Sequence, residues 1–119
     1  MVIPMKEIPL SEETQHLVQA LSALSNPARF KILEILAEQP QSIVADIVEL
    51  LPIAQATVSQ HLKVLTDAGL IYGEREGTGQ CCRIDFEAVS QFAQDILAWT
   101  MRLAVVGTQG ETKGASCRP

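Results

Sequence analysis

Apolar residues recur at helical spacing in five stretches of this chain. Leu17, Val18, Leu21 and Leu24 follow helical spacing and mark one face of a first helix. Ser11 stands ahead of it as an N-cap, and Glu12-Glu13 follow where the helix dipole favours negative charge. Asn26-Pro27 opens a second helix, with Asn26 as cap and Pro27 at the first helical position. Phe30, Ile32, Leu33, Ile35 and Leu36 give it a broad apolar face, and Pro40 closes it. A third helix is predicted to begin at Ser42, to carry Ile43, Val44, Ile47, Leu50 and Leu51 on one side, and to stop at Pro52. A fourth runs from about Gln55 to Ala68 on a stripe of Val58, Leu62 and Leu65, with Gly69 as its C-terminal cap.

The period then changes from helix to strand. Leu70 to Glu76 reads as a strand, Gly77-Thr78-Gly79-Gln80 as a turn, and Cys81 to Phe86 as the returning strand. Alternation puts Cys82, Ile84 and Phe86 on one face and Cys81, Arg83 and Asp85 on the other. The first face is apolar, so Cys82 is expected half-buried and Cys81 exposed. A long last helix follows from about Glu87 to Val106, with Val89, Phe92, Ala93, Ile96, Leu97 and Leu103 spaced for burial. The predicted division is an N-terminal arm over 1–10, one domain over 11–106, and a Gly/Ser/Thr-rich flexible tail over 107–119.

Composition narrows the class. A chain of 119 residues suits one domain that gains from burying surface against a partner. Hydrophobic residues make up 47%, which is globular composition. No apolar run is long enough to span a membrane, and the start lacks the pattern of a secretory signal. Three cysteines then suggest free thiols in a reducing cytoplasm. The net charge of −5 weighs mildly against nucleic-acid binding. A local basic surface is enough for a DNA-binding protein, however, and an acidic remainder limits non-specific binding.

Two short helices joined by a tight turn and followed by a hairpin form a winged helix-turn-helix. The fold class is therefore mainly α with a small β-hairpin. With Val58, Leu62 and Leu65 turned inward, Gln55, Thr57, Ser59, Gln60 and Lys63 lie on or beside the exposed side of the fourth helix. Short polar groups near a helix N-terminus suit contact with base edges in a major groove. Gln can pair with adenine through two bonds, Thr and Ser suit several bases, and Lys63 is placed for phosphate. His61 has two readings: a half-buried hydrogen-bonding role or a phosphate contact. Arg75 and Arg83, on the two hairpin strands, either reach phosphate or the minor groove, or pair with Glu74, Glu76 or Asp85.

The stretch LSALSNPARFKILEIL, followed by ATVSQHLKVLTDAGLI and a Gly-tipped hairpin, resembles the ArsR/SmtB family of bacterial repressors over roughly residues 15 to 100. The resemblance implies a homodimer through the first and last helices, bound to a palindromic double-stranded DNA operator and released by an effector. Trp99 and Met101 are candidates for the dimer interface or for simple core packing. Two departures stand out. Pro52 and Ala54 occupy places where many members have Gly and a capping Ser, and Ala as a cap costs roughly 1 kcal/mol against Ser.

The resemblance implies an effector without naming it. The family's Cys-Val-Cys pair on the third helix corresponds to Ile43, Val44 and Ala45 here. The zinc-type site on the last helix needs histidine, and none follows Asp85. The cysteine pair used by persulfide-sensing members, on the second and last helices, is also missing. Cys81, Cys82 and Cys117 remain as candidate thiolates for trivalent arsenic or another thiophilic metal ion. Joint binding by Cys81 and Cys82 requires a bend in the strand, with Cys117 supplied from the tail. The alternatives are a thiol redox response, a metal-independent regulator in which the pair fills space in the hairpin, or a winged helix that docks protein. An enzyme is not expected: there is no C-x-x-C motif, and no histidine lies near the cysteines in sequence.

Overall fold

Three of the helices begin where a short polar side chain serves their unpaired amides. The computed structural model describes residues 8–76 and 79–109, with side chains for all of these except 75, 76, 79, 108 and 109. Helix α1 spans Glu12–Leu24, and Ser11 Oγ accepts from the Thr14 amide at 3.1 Å. Helix α2 spans Pro27–Glu38, and Asn26 Oδ1 accepts from the amides of Ala28 and Arg29 at 2.8 and 3.2 Å. Helix α3, Val44–Leu50, departs from expectation. It begins two residues after the predicted Ser42, with Ile43 at its cap, and the Asp46 carboxylate accepts from the Ile43 amide at 3.0 Å. Ser42 is buried instead, and its hydroxyl has no hydrogen-bond partner among the described residues.

Helix α4, Gln55–Asp67, has Ala54 at its cap and no side-chain cap bond. Its other end is better closed. The Leu70 amide donates to the Leu65 carbonyl at 3.1 Å and the Gly69 amide to Thr66 at 2.9 Å, with Gly69 at φ 80°. This is a Schellman closure, and its left-handed residue favours glycine. It swings the chain directly into strand β1 (Ile71–Glu76), which pairs antiparallel with β2 (Gly79–Ile84).

The hairpin register opposes Ile71 to Ile84 and Gly73 to Cys82, so these four share one face. Tyr72, Glu74, Cys81 and Arg83 share the other. β2 ends two residues earlier than the pattern of apolar residues predicts. Asp85 caps the last helix, its carboxylate accepting from the Ala88 amide at 3.0 Å. Phe86 is therefore the first residue of α5 (Phe86–Gln109) and 72% exposed, not the third apolar residue of the strand.

The core lies where α2, α3 and α4 meet the apolar hairpin face. Ile32, Leu36, Ile47, Val58, Leu65 and Ile71 are fully buried there. Phe30 and Leu50, both predicted core members, are about half exposed. Phe30 lies two residues, about 200°, around the helix from Ile32, so the two cannot face one core. Helix α5 continues to Gln109, three residues past the predicted end of the domain. Beyond Phe92 it leaves the core, and Leu97, Trp99, Met101, Leu103, Val105 and Val106 are all exposed. No helix among the described residues is long and apolar enough to cross a membrane.

Candidate nucleic-acid interface

The rotation of α4 about its own axis is set by burial. Val58, Leu62 and Leu65 are buried in the core at three- and four-residue spacing. The opposite arc must then face solvent, and Gln55, Ser59, Gln60 and Lys63 are all exposed on it. Thr57 and His61 lie at its edge, half-buried. Ala54 offers no capping oxygen, and the Gln55 and Ala56 amides have no partner among the described residues. The start of this helix therefore presents polar side chains together with two open N–H groups, an arrangement suited to anions. Lys63 Nζ lies 3.2 Å from Asp67 Oδ2, with both side chains well exposed. A pair of that kind is worth only a few tenths of a kcal/mol and opens easily.

His61 is tied back to the scaffold. Its Nδ1 lies 3.2 Å from Arg29 Nη1. The same guanidinium donates through Nε to the Ala23 carbonyl at 2.7 Å and through Nη2 to the Ser22 carbonyl at 3.3 Å. Arg29 thus joins the end of α1, the start of α2 and the middle of α4. It was not among the candidates read from the sequence. Its partner is 32 residues away, and no local pattern reports a contact of that kind.

The wing differs more from expectation. Arg83 Nε donates to Glu74 Oε2 at 2.7 Å and Nη1 to the Pro40 carbonyl at 3.2 Å. Its side chain is 24% exposed. The predicted pairing with Glu74 is present, and the second bond pins the hairpin to the α2–α3 connection. The backbone of Arg75 lies in β1 opposite Gln80; its side chain lies outside the described residues.

Cys81 is buried, contrary to the alternation argument, and so is Cys82. The chain entering α3 is a neighbour that the sequence pattern does not reveal. Ile43 pairs with Cys81 in an isolated antiparallel bridge, so that segment runs along the open edge of β2 beside Cys81. Cys82 faces the core cluster from the other side. The two thiols therefore point to opposite faces of a regular strand, and no bulge brings them together. Burial pushes the Cys82 thiol above its ordinary range, and the neighbouring Cys81 adds to the effect. Neither cysteine is in a disulfide. Cys117 lies outside the described residues. Among those described, no group of three or more His, Cys, Asp or Glu side chains is placed to hold a metal ion. Two buried thiols on opposite faces of one strand are not placed to share one ion.

Comparison with known proteins supplies the context for this surface. Residues 26–72 match the family model described as bacterial regulatory protein, arsR family. The arsenical resistance operon repressor of Bacillus subtilis is 30% identical over 92 residues, which cover 77% of this chain and 88% of that protein. An uncharacterized helix-turn-helix transcriptional regulator of Methanocaldococcus jannaschii is 34% identical over 67 residues, covering 56% of this chain and 75% of that one. The solution structure of a homodimeric winged helix-turn-helix DNA-binding domain from Mycobacterium bovis superposes with a TM-score of 0.60. The match covers 96% of this chain and 100% of that one at 23% identity, a likeness of fold.

Proposed function

The chain belongs to the arsR family of bacterial regulatory proteins, and from that premise we propose that it is a dimeric repressor whose α4 enters the major groove of a palindromic operator. The observation that carries this reading is the fixed rotation of α4. Its apolar stripe is locked in the core, which leaves Gln55, Ser59 and Gln60 outward as base-reading groups and Lys63 as a phosphate ligand. Thr57, at the edge, reaches a base or the backbone beside them. The open amides of Gln55 and Ala56 take the place of the missing cap hydroxyl in holding a phosphate.

Dimerisation is supported by the apolar surface left on the end helices. Leu97, Met101 and Leu103 of α5, together with Val18 and Leu21 of α1, are exposed although apolar. A second copy packed on α1 and α5 would cover them. A two-fold pair of α4 helices about 34 Å apart would then meet successive major grooves. A mobility-shift titration with DNA from upstream of the protein's own gene tests the reading. A sharp complex that weakens steeply with salt is expected; no complex even at low salt would sink it.

Release by an effector belongs to the same reading. A thiophilic effector such as arsenite has only Cys81, Cys82 and Cys117 to bind. The burial of Cys81 and Cys82 on opposite faces of β2 supports a packing role for that pair instead. The test is DNA release by arsenite, cadmium, zinc or peroxide in Cys81→Ala and Cys82→Ala. Release matching the wild type is expected. Loss of release in either variant, with the fold intact, would restore the pair as a sensor.

A further inference from the structure

We propose that Arg29 is a positioning residue that fixes the tautomer of His61, so that His61 presents a neutral Nε2–H donor to a DNA phosphate. The proposal rests on the reading of α4 as the DNA-contacting helix. Three observations carry it. A guanidinium has only donors, so the 3.2 Å contact between Arg29 Nη1 and His61 Nδ1 needs a lone pair on Nδ1. A neutral ring then carries its proton on Nε2. The guanidinium is itself held: Nε and Nη2 donate to the Ala23 and Ser22 carbonyls at the end of α1. Nη1 therefore faces the ring from a fixed direction. Finally, Nε2 has no hydrogen-bond partner among the described residues. The one buried side-chain polar atom without a partner there is Ser42 Oγ, so Nε2 is open to solvent.

The ring cannot flip without turning a C–H against Arg29, so both its orientation and its protonation pattern are set from behind. The two roles predicted for His61 belong to its two nitrogens: Nδ1 is the half-buried structural acceptor, and Nε2 is the free donor. The contact with phosphate is thus a hydrogen bond without a net charge. It adds affinity without displacing a counterion, unlike a lysine contact. Arg29 contributes to DNA binding without touching DNA.

The experiment has a spectroscopic arm and a binding arm. Long-range proton–nitrogen correlation of uniformly 15N-labelled protein, with His61→Gln used for assignment, is expected to show His61 as the Nε2–H tautomer. Arg29→Lys is expected to give a tautomer mixture. An Nδ1–H tautomer in the wild type would overturn the proposal, as would an unchanged tautomer in Arg29→Lys. In the binding arm, Gln places an amide near Nε2 and Asn places one near Nδ1. With DNA from upstream of its own gene, His61→Gln should bind within about threefold of the wild type. His61→Asn should bind about tenfold more weakly per half-site, the scale of one hydrogen bond to a charged acceptor. Both should keep the wild-type slope of log affinity against log salt. A slope reduced by about 0.9 per half-site in His61→Asn would mean a charged contact and would overturn the proposal. Equal binding by the two variants would overturn it as well. A wild type that binds no DNA, with the tautomer as stated, would sink the reading of α4 and not the Arg29–His61 assignment.

Discussion

Replacing Cys82 by serine separates a packing role from a chemical one. Cys82 is 5% exposed and belongs to the core cluster with Ile71 and Leu62. Its cross-strand neighbour on that face is Gly73, which has no side chain to accept from a hydroxyl. Serine would therefore bury an O–H with no side-chain partner across the strand, at a cost of about 1–3 kcal/mol. Alanine removes one atom and leaves a small void, for which we expect about 1 kcal/mol. For a domain of this size each kcal/mol shifts Tm by about 4 °C. Thermal and urea unfolding should be compared at equal protein concentration, because a dimer's stability depends on concentration. Cys82→Ser should melt several degrees below Cys82→Ala. The order has a pH signature too. Burial raises the folded-state pKa of Cys82 above the ordinary thiol value of 9.0. The unfolded thiol ionises first, so this contribution is complete below that value and is lost as pH rises through the folded-state pKa. The wild type should thus lose stability more steeply above pH 9 than Cys82→Ala does. A Cys82→Ser protein as stable as the wild type would refute the packing argument.

Other elements of the structure make separate predictions. Gly69→Ala places a side chain at φ 80° in the closure between α4 and β1, and should cost about 1 kcal/mol in urea unfolding. Arg83→Ala removes the Glu74 pair and the bond to the Pro40 carbonyl; it should lower stability by about 1 kcal/mol while leaving the salt slope of DNA binding unchanged. Lys63→Gln should do the reverse, reducing that slope by about 0.9 per half-site with little change in melting. Leu97→Glu, at a 61% exposed position on α5, should shift sedimentation toward a monomer and weaken DNA binding with it.

What the sequence reveals depends on the range of the interaction. Ser11, Asn26-Pro27 and Gly69 act on amides and carbonyls within a few residues, so helix ends could be read from them. The stripe of Val58, Leu62 and Leu65 repeats within one helix, and the polar arc of α4 follows from it. The errors come from contacts made across the chain. Cys81 is buried although alternation within one strand treats its face as open, and the segment bridged to it through Ile43 lies 38 residues earlier. Arg83 is drawn inward by the Pro40 carbonyl for the same reason. Apolar rhythm alone places Phe86 in β2, but the Asp85 cap turns the chain into α5 first. Arg29 has an ordinary place near the start of α2, and only the packed structure shows that it reaches His61.

Footprinting at base resolution, on DNA from upstream of the protein's own gene, bears most directly on whether α4 reads an operator. Wild-type protein should protect two half-sites in successive major grooves, centred about 34 Å apart and related by a two-fold axis. Gln60→Ala should lose protection at specific bases while the backbone pattern persists. Uniform protection with no preferred site, or a pattern that Gln55→Ala and Gln60→Ala leave untouched, would contradict it.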